Sequence, residues 1–236
     1  MIVLGLDTAT AATAVALRLA DGTLREARDD PPAGAHPGHA TRLLAMAHEL
    51  LEEAGVPWGR IGRIGAGAGP GTFTGLRVGL ATARGLAQSL GAELTTVSSA
   101  LALARPALEQ AAGRPVLAAI DARRGEVFAA LYGAGGQELA APRPLAPAAL
   151  GELLADAGGP ALAVGDGALR YRAEVEAAGA LLAPEASGLH LLRAGAVCEL
   201  AAAALGAPGL QAALPDYRRR PDAELALQGA GTEAGR

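Results

Sequence analysis

The sequence predicts an α/β protein made of two similar lobes, and two observations carry that expectation. The first is an internal repeat. Residues 2–22 read as an apolar run, Asp7, a Thr-rich turn, a second apolar run (Ala14-Val15-Ala16-Leu17) and Asp21-Gly22. Residues 116–136 repeat that order with Asp121, an Arg-Arg-Gly turn, the run Val127 to Leu131 and Gly135-Gly136. Each aspartate stands the same distance before the second residue of its closing pair. Two strand-length runs joined by a short polar turn pair most easily as an antiparallel hairpin, and a hairpin recurring after half the chain points to a duplicated unit. The second observation is the alternation of helical and strand-length patterns after each hairpin, which marks α/β units.

Taken in order, Met1 to Leu6 is a strand with no charged leader before it. His39 to Ala54 is a helix, with Leu43, Leu44, Ala47, Leu50 and Leu51 gathered on one side at helical spacing. Ile61 to Gly67 is a short buried strand. The loop Gly69-Pro70-Gly71-Thr72-Phe73-Thr74-Gly75-Leu76-Arg77 then opens a helix from Thr72 to Leu90. Leu94 to Val97 is a strand, and Ser98 or Ser99 caps a helix from Ala100 to Ala112. The second half supplies its hairpin, a helix around Ala148 to Ala157, a strand at Ala161 to Val164 and a helix from Leu191 to Leu205. The expected lobes are residues 1–104 and 105–221, followed by a small, polar, flexible tail at 222–236.

Composition narrows the function. The chain has 236 residues, 51% hydrophobic and 19% charged, with a net charge of −4 and only 3% aromatics. That lacks both the basic excess and the stacking platforms of a stand-alone nucleic-acid binder. Lysine is absent, so all 20 basic side chains are arginine, and mechanisms needing a lysine amine are excluded. The single cysteine, Cys198, sits in a helical run and reads as a small core residue. No apolar run reaches the ~20 residues of a membrane span, and the expected location is the cytoplasm.

The glycine loop fails the common phosphate templates. Leu76-Arg77 follow Gly75 where a Walker loop needs Lys-Ser/Thr, and the spacing Gly69, Gly71, Gly75 misses the dinucleotide fingerprint by one residue. Its backbone N–H groups can still hold an anion at the helix N-terminus. The helix it opens is more telling. Gly79 and Gly85 each cost about 1 kcal/mol against alanine inside a helix, so close packing should offset them. Gly79 and Ala83 lie on one face; Val78, Ala81, Thr82 and Gly85 lie on another. A helix with small residues on two sides can be approached by its own sheet from one direction and by a neighbouring helix from the other. A helix with both faces in the core is the plain alternative.

Other candidates are weaker. Asp7-Thr8-Ala9-Thr10 follows a buried strand, as the D-x-G-T phosphate turn does in the actin, hexokinase and Hsp70 superfamily, but Ala9 stands in place of the glycine that lets backbone approach phosphate. Asp121-Ala122-Arg123 lacks that glycine too. Gly165-Asp166-Gly167 stands where such folds bind adenosine, or is simply a turn. His36 and His39 are close in sequence, but Pro37-Gly38 place them on a loop and no second histidine follows His39 by four residues. No G-x-S-x-G elbow is present. The cluster Asp121 to Glu126 reads as a solvated turn or as a contact for a phosphate or a partner.

These segments together resemble the TsaB family, subunits of the bacterial machinery that makes threonylcarbamoyladenosine in tRNA. The resemblance runs from residue 1 to about 221. It rests on Asp7-Thr8-Ala9-Thr10, His39-Ala40-Thr41-Arg42-Leu43-Leu44, the glycine loop Gly69 to Arg77, Ile120-Asp121-Ala122-Arg123-Arg124-Gly125-Glu126-Val127 and Pro215-Asp216-Tyr217-Arg218-Arg219. Arg218 departs from the apolar residue usual there. The resemblance implies a two-lobed actin-like (ASKHA, ribonuclease H-like) α/β fold with a degenerate nucleotide site, no catalytic residue, no metal site and no intrinsic cofactor. ATP and metal belong to its partners, a TsaD-like catalytic subunit that modifies tRNAs reading A-starting codons and a TsaE-like ATPase. The tRNA is reached indirectly through that complex. The pairing surface it implies is the two helices at about Ala40–Glu53 and Thr72–Leu90. Leu43, Leu44, Ala47, Leu50, Val78, Ala81, Thr82 and Gly85 would face the partner, with Gly69, Pro70, Gly71, Thr72, Gly75 and Arg77 shaping the loop. Asp7, Thr8, Thr10 and Asp121 remain as a vestige of the cofactor site. Without a partner the same surface is expected to form a two-fold homodimer. The rivals are an ATP-dependent kinase using Asp7, which Ala9, Ala122 and the missing lysine oppose, and a peptidase.

Overall fold

In the computed structural model, residues 1–32, 34–155, 157–206 and 213–217 are described. The first hairpin forms as expected: β1 (Ile2–Asp7) runs antiparallel to β2 (Thr13–Arg18), with Leu4 opposite Leu17 and Leu6 opposite Val15. Then come β3 (Leu24–Asp29), α1 (His39–Ala54), β4 (Ile61–Gly67), α2 (Phe73–Leu90), β5 (Glu93–Val97) and α3 (Ser99–Gln110). The first sheet has the order β3-β2-β1-β4-β5. Its hairpin strands are antiparallel, and β4 and β5 join parallel to β1 through α1 and α2.

The second half repeats this plan. The strands β6 (Val116–Arg123), β7 (Glu126–Tyr132) and β8 (Glu138–Leu145) form an antiparallel meander. After them come α4 (Leu150–Leu154), β9 (Leu162–Val164), α5 (Asp166–Arg170), α6 (Arg172–Ala177), β10 (Leu181–Leu182) and α7 (Ala194–Ala203). The order β10-β9-β6-β7-β8 mirrors the first sheet strand for strand. The repeat seen in sequence is therefore a repeat of topology.

The helices cover the first sheet on both faces. On one face α1 and α2 bury Leu43, Met46, Leu51, Leu80, Ala83 and Ala87 against Leu4, Leu6, Leu17 and Ile64. On the other, α7 packs Ala194, Cys198 and Ala201 onto Val3, Ala14 and Ala16. Glycine in the strands permits that approach. A Cβ at Gly5 would lie 2.7 Å from both the Ala194 carbonyl and the Cys198 sulfur, and one at Gly65 would lie 2.7 Å from Ala201. Cys198 is the core residue expected, and burial pushes its thiol up to about 12.

The two halves exchange their last helices. The apolar face of α3 (Ala100, Leu103, Ala104, Ala107, Leu108) completes the core of the second sheet, while α7 completes that of the first. The expected division at 104/105 thus falls inside α3, and the helix expected at Leu191–Leu205 lies against the first sheet, because its small residues fit the glycine-bearing strands there. The expected tail at 222–236 lies outside the described residues. Among the described residues, no helix is long and apolar enough to cross a membrane.

Candidate functional site

The site centres on the β1–β2 turn, where β1 delivers Asp7 into the interior. Asp7 is only 2% exposed. Its Oδ1 accepts the Ala9 N–H at 2.8 Å and its Oδ2 accepts the Ser99 hydroxyl at 2.7 Å. Burial pushes the carboxyl up to about 6, and the Ala9 and Ser99 hydrogen bonds and the Arg28 charge offset only part of that rise. Each carboxylate oxygen is thus held by one partner within the chain.

A raised folded-state value has a definite sign in stability. The folded chain holds the Asp7 proton more tightly than the unfolded chain, so this contribution is present below pH ~4 and is lost as pH rises through about 6. The Asp7→Asn variant has no such proton to lose. Its stability relative to the parent should therefore improve between pH 4 and pH 8, by roughly 3 kcal/mol for a displacement of about two units. Urea unfolding of both proteins at the two pH values checks this; a difference independent of pH would contradict it.

The glycine loop closes over this turn. Thr8 donates its hydroxyl to the Gly75 carbonyl at 2.7 Å, and the Thr72 N–H donates to the Ala9 carbonyl at 2.8 Å. Thr72 also caps α2, its hydroxyl accepting the Gly75 N–H. A Cβ on Gly71 would overlap Ala9, one on Gly75 the Thr8 carbonyl oxygen, and one on Gly79 the Thr8 hydroxyl. The glycines that look like a phosphate cradle are filled by the chain's own hairpin turn. Gly69 has a φ of +117° and donates its N–H to Ser99, which fixes the loop's entry. The peptide bond from Gly69 to Pro70 is cis.

The second hairpin is likewise engaged. The Asp121 carboxylate accepts the Arg123 N–H at 2.9 Å and lies 3.3 Å from the Arg123 guanidinium and 3.7 Å from that of Arg170. Thr10 accepts the Ala12 N–H and lines a cavity of about 230 Å³ with Arg28, Asp166, Leu169 and His190. That is below the roughly 300–1,000 Å³ typical of ligand pockets. A Cβ on Gly165 would overlap the Ala119 carbonyl, so the glycines of Gly165-Asp166-Gly167 make a tight strand-to-helix turn.

The histidines separate. His36 is exposed, whereas His39 is buried with its Nδ1 2.9 Å from the Thr13 hydroxyl, and burial lowers its pKa. It fastens the start of α1 to the hairpin.

The residues expected to face a partner differ in exposure. On α2, Gly79 and Ala83 are buried, Val78 and Thr82 are half-buried, and Ala81 and Gly85 are exposed, with open space beyond Gly85. On α1 the expectation needs correcting. Leu43, Ala47 and Leu50 lie in the chain's own core at 1%, 0% and 4% exposure, covered by the first sheet, and only Leu44 faces out, at 49%. Sequence reasoning did not single out Phe73 and Tyr217, which lie beside Arg77 at the start of α2. Both stand in quoted motif segments, but a contact across 144 positions of sequence has no local signature.

Residues 31–190 match the family model described as TsaD: tRNA N6-adenosine threonylcarbamoyltransferase. The tRNA threonylcarbamoyladenosine biosynthesis protein TsaB of Escherichia coli (strain K12) is 42% identical over 134 residues, covering 56% of this chain and 55% of that protein. By that measure the chain spans about half the length of the curated relatives it matches. YeaZ from Pseudomonas aeruginosa superposes with a TM-score of 0.74 at 31% identity, covering 92% of this chain and 99% of that one. A ROK hexokinase from Thermus thermophilus, at 16% identity and a TM-score of 0.51, shares the fold alone and places it among actin-like, two-lobed α/β proteins. With two thirds of its length matching the TsaD family model and 31% identity extending along nearly the whole of YeaZ, the chain belongs to the TsaB family.

Proposed function

We propose that this chain is a non-catalytic subunit that docks a TsaD-type catalytic subunit and supports its formation of N6-threonylcarbamoyladenosine in tRNA. One observation carries the reading: α2 closes the vestigial phosphate turn with one face and leaves the other open. Gly75 and Gly79 bring the helix onto Thr8, while Ala81 and Gly85 put small residues on its outer side, with Val78 and Thr82 half-buried beside them. A partner helix can approach such a surface closely, and the exposed apolar groups gain by being covered. ATP and metal then belong to the TsaD-type subunit and a TsaE-type ATPase, with tRNA reached through the assembled complex in the cytoplasm.

Reconstitution with purified TsaD-type and TsaE-type subunits, ATP, the threonylcarbamoyl precursors and tRNA tests this. Transfer should depend on the chain, and Asp7→Asn should support as much of it as the parent. Phosphoryl transfer by the chain alone, abolished by Asp7→Asn, would instead establish the kinase reading.

A further inference from the structure

At the head of the open α2 face, three side chains from distant parts of the sequence form one stack. The Arg77 guanidinium lies 3.6 Å from the centroid of the Phe73 ring one turn before it. Its Nε donates to the Tyr217 hydroxyl at 2.8 Å, and the two rings lie 5.2 Å apart. Tyr217 is brought there by the returning segment Ala213–Tyr217, which the Asp216 N–H fastens to the Ala68 carbonyl at 2.7 Å. The stack therefore joins the end of the glycine loop to a segment fastened just before its start.

The arrangement fixes the plane of a guanidinium and, among the described residues, leaves its terminal nitrogens unused. Nε is satisfied, and neither terminal nitrogen of Arg77 donates to a described residue. Phe73 and Tyr217 remain 39% and 41% exposed, so the cation sits among apolar walls that a partner would seal. An arginine held in this way can offer its remaining N–H groups as a pair to a planar oxyanion, with little side-chain freedom left to lose. Arg77 lies one turn before Ala81 and two before Gly85, on the same face. The whole of α2 carries Arg77 and Arg84 and no acidic residue.

We infer that Arg77 is a preorganised receptor for one aspartate or glutamate carboxylate of the docking partner, with Phe73 and Tyr217 as its walls. The inference rests on the docking role proposed above and adds the group recognised there. A protein carboxylate is favoured over an RNA phosphate by the surroundings. Aromatic and arginine side chains on an apolar face are the composition of protein–protein hot spots. RNA backbones are gripped by several cations together, and this chain has a net charge of −4.

The test is calorimetric titration of the TsaD-type subunit with the parent, Arg77→Lys, Arg77→Glu, Tyr217→Phe and Ala81→Arg, each checked for an unchanged unfolding curve. Arg77→Lys keeps the charge but loses the fork, and should weaken binding about tenfold. Tyr217→Phe should weaken it by a smaller factor. Arg77→Glu should weaken it further and be rescued when one acidic residue of the partner is reversed to lysine. If Ala81→Arg abolishes binding while the Arg77 variants bind within about twofold of the parent, the docking role stands and the carboxylate receptor is refuted. If Ala81→Arg binds like the parent, the docking role itself fails and the receptor with it. A loss of tRNA binding by the isolated Arg77→Glu chain, with TsaD binding intact, would also refute the carboxylate in favour of a phosphate.

Discussion

Replacing Gly75 with alanine is expected to destabilise the chain by about 3 kcal/mol or more, with the first turn of α2 displaced from the β1–β2 hairpin. The added methyl would overlap the carbonyl oxygen of Thr8, and the Thr72 hydroxyl stands 2.5 Å away on the other side. Neither neighbour is a free end: one is backbone, and the other caps the helix through the Gly75 N–H itself. Relief therefore requires moving the helix or the turn, at the expense of the Thr8 bond to the Gly75 carbonyl. Gly85 supplies the internal control. Nothing lies within 4 Å of a Cβ there, so Gly85→Ala should stabilise the isolated chain by about 1 kcal/mol through helix propensity alone. Chemical denaturation of the two variants checks the contrast. Equal effects would mean that the turn does not fill the glycine loop.

The second large effect is on association. Ala81→Arg should reduce affinity for a TsaD-type subunit by about a hundredfold or more while leaving the chain folded. Ala81 is exposed, so the longer side chain can extend into solvent and unfolding should change little. A partner helix resting on Ala81 and Gly85 would meet a bulky charge at the centre of a face that offers no acidic residue on α2 to pair with it. Binding titration reads the loss, and reconstituted transfer should fall with it unless the subunits are raised to compensating concentrations.

Much of this fold is legible in the sequence because the signals are local. The hairpin repeat, the bounds of α1 and β4, the Thr72 start of α2 and a serine cap on α3, which the structure assigns to Ser98, all follow from patterns a few residues wide. Part of what is missed is polar or remote. The strands β3 and β8 are sheet edges, one reading Leu24-Arg25-Glu26-Ala27-Arg28-Asp29 and the other carrying Pro142 and Pro144, and such sequences lack the apolar alternation that marks a strand. The exchange of α3 and α7 between the sheets depends on which core each helix completes, which no periodicity encodes.

The candidate site divides in the same way. The two small-residue faces of α2 can be read from spacing, and the structure places Gly79 and Ala83 inside and Ala81 and Gly85 outside. On α1 the same reasoning gathers Leu43, Leu44, Ala47 and Leu50, yet an apolar stripe does not say what covers it. Three of the four are covered by the chain's own sheet. Nor could the sequence show that Thr8, 67 positions away, fills the space beside Gly75.

In the proposed function the outer face of α2 docks a catalytic partner, and Asp7 does no chemistry. Titration of a purified TsaD-type subunit with the parent and Ala81→Arg chains tests it most directly. The parent should form a saturable complex, and the variant should lose it while unfolding like the parent. A parent that fails to bind, or an Ala81→Arg chain that binds equally well, would contradict it.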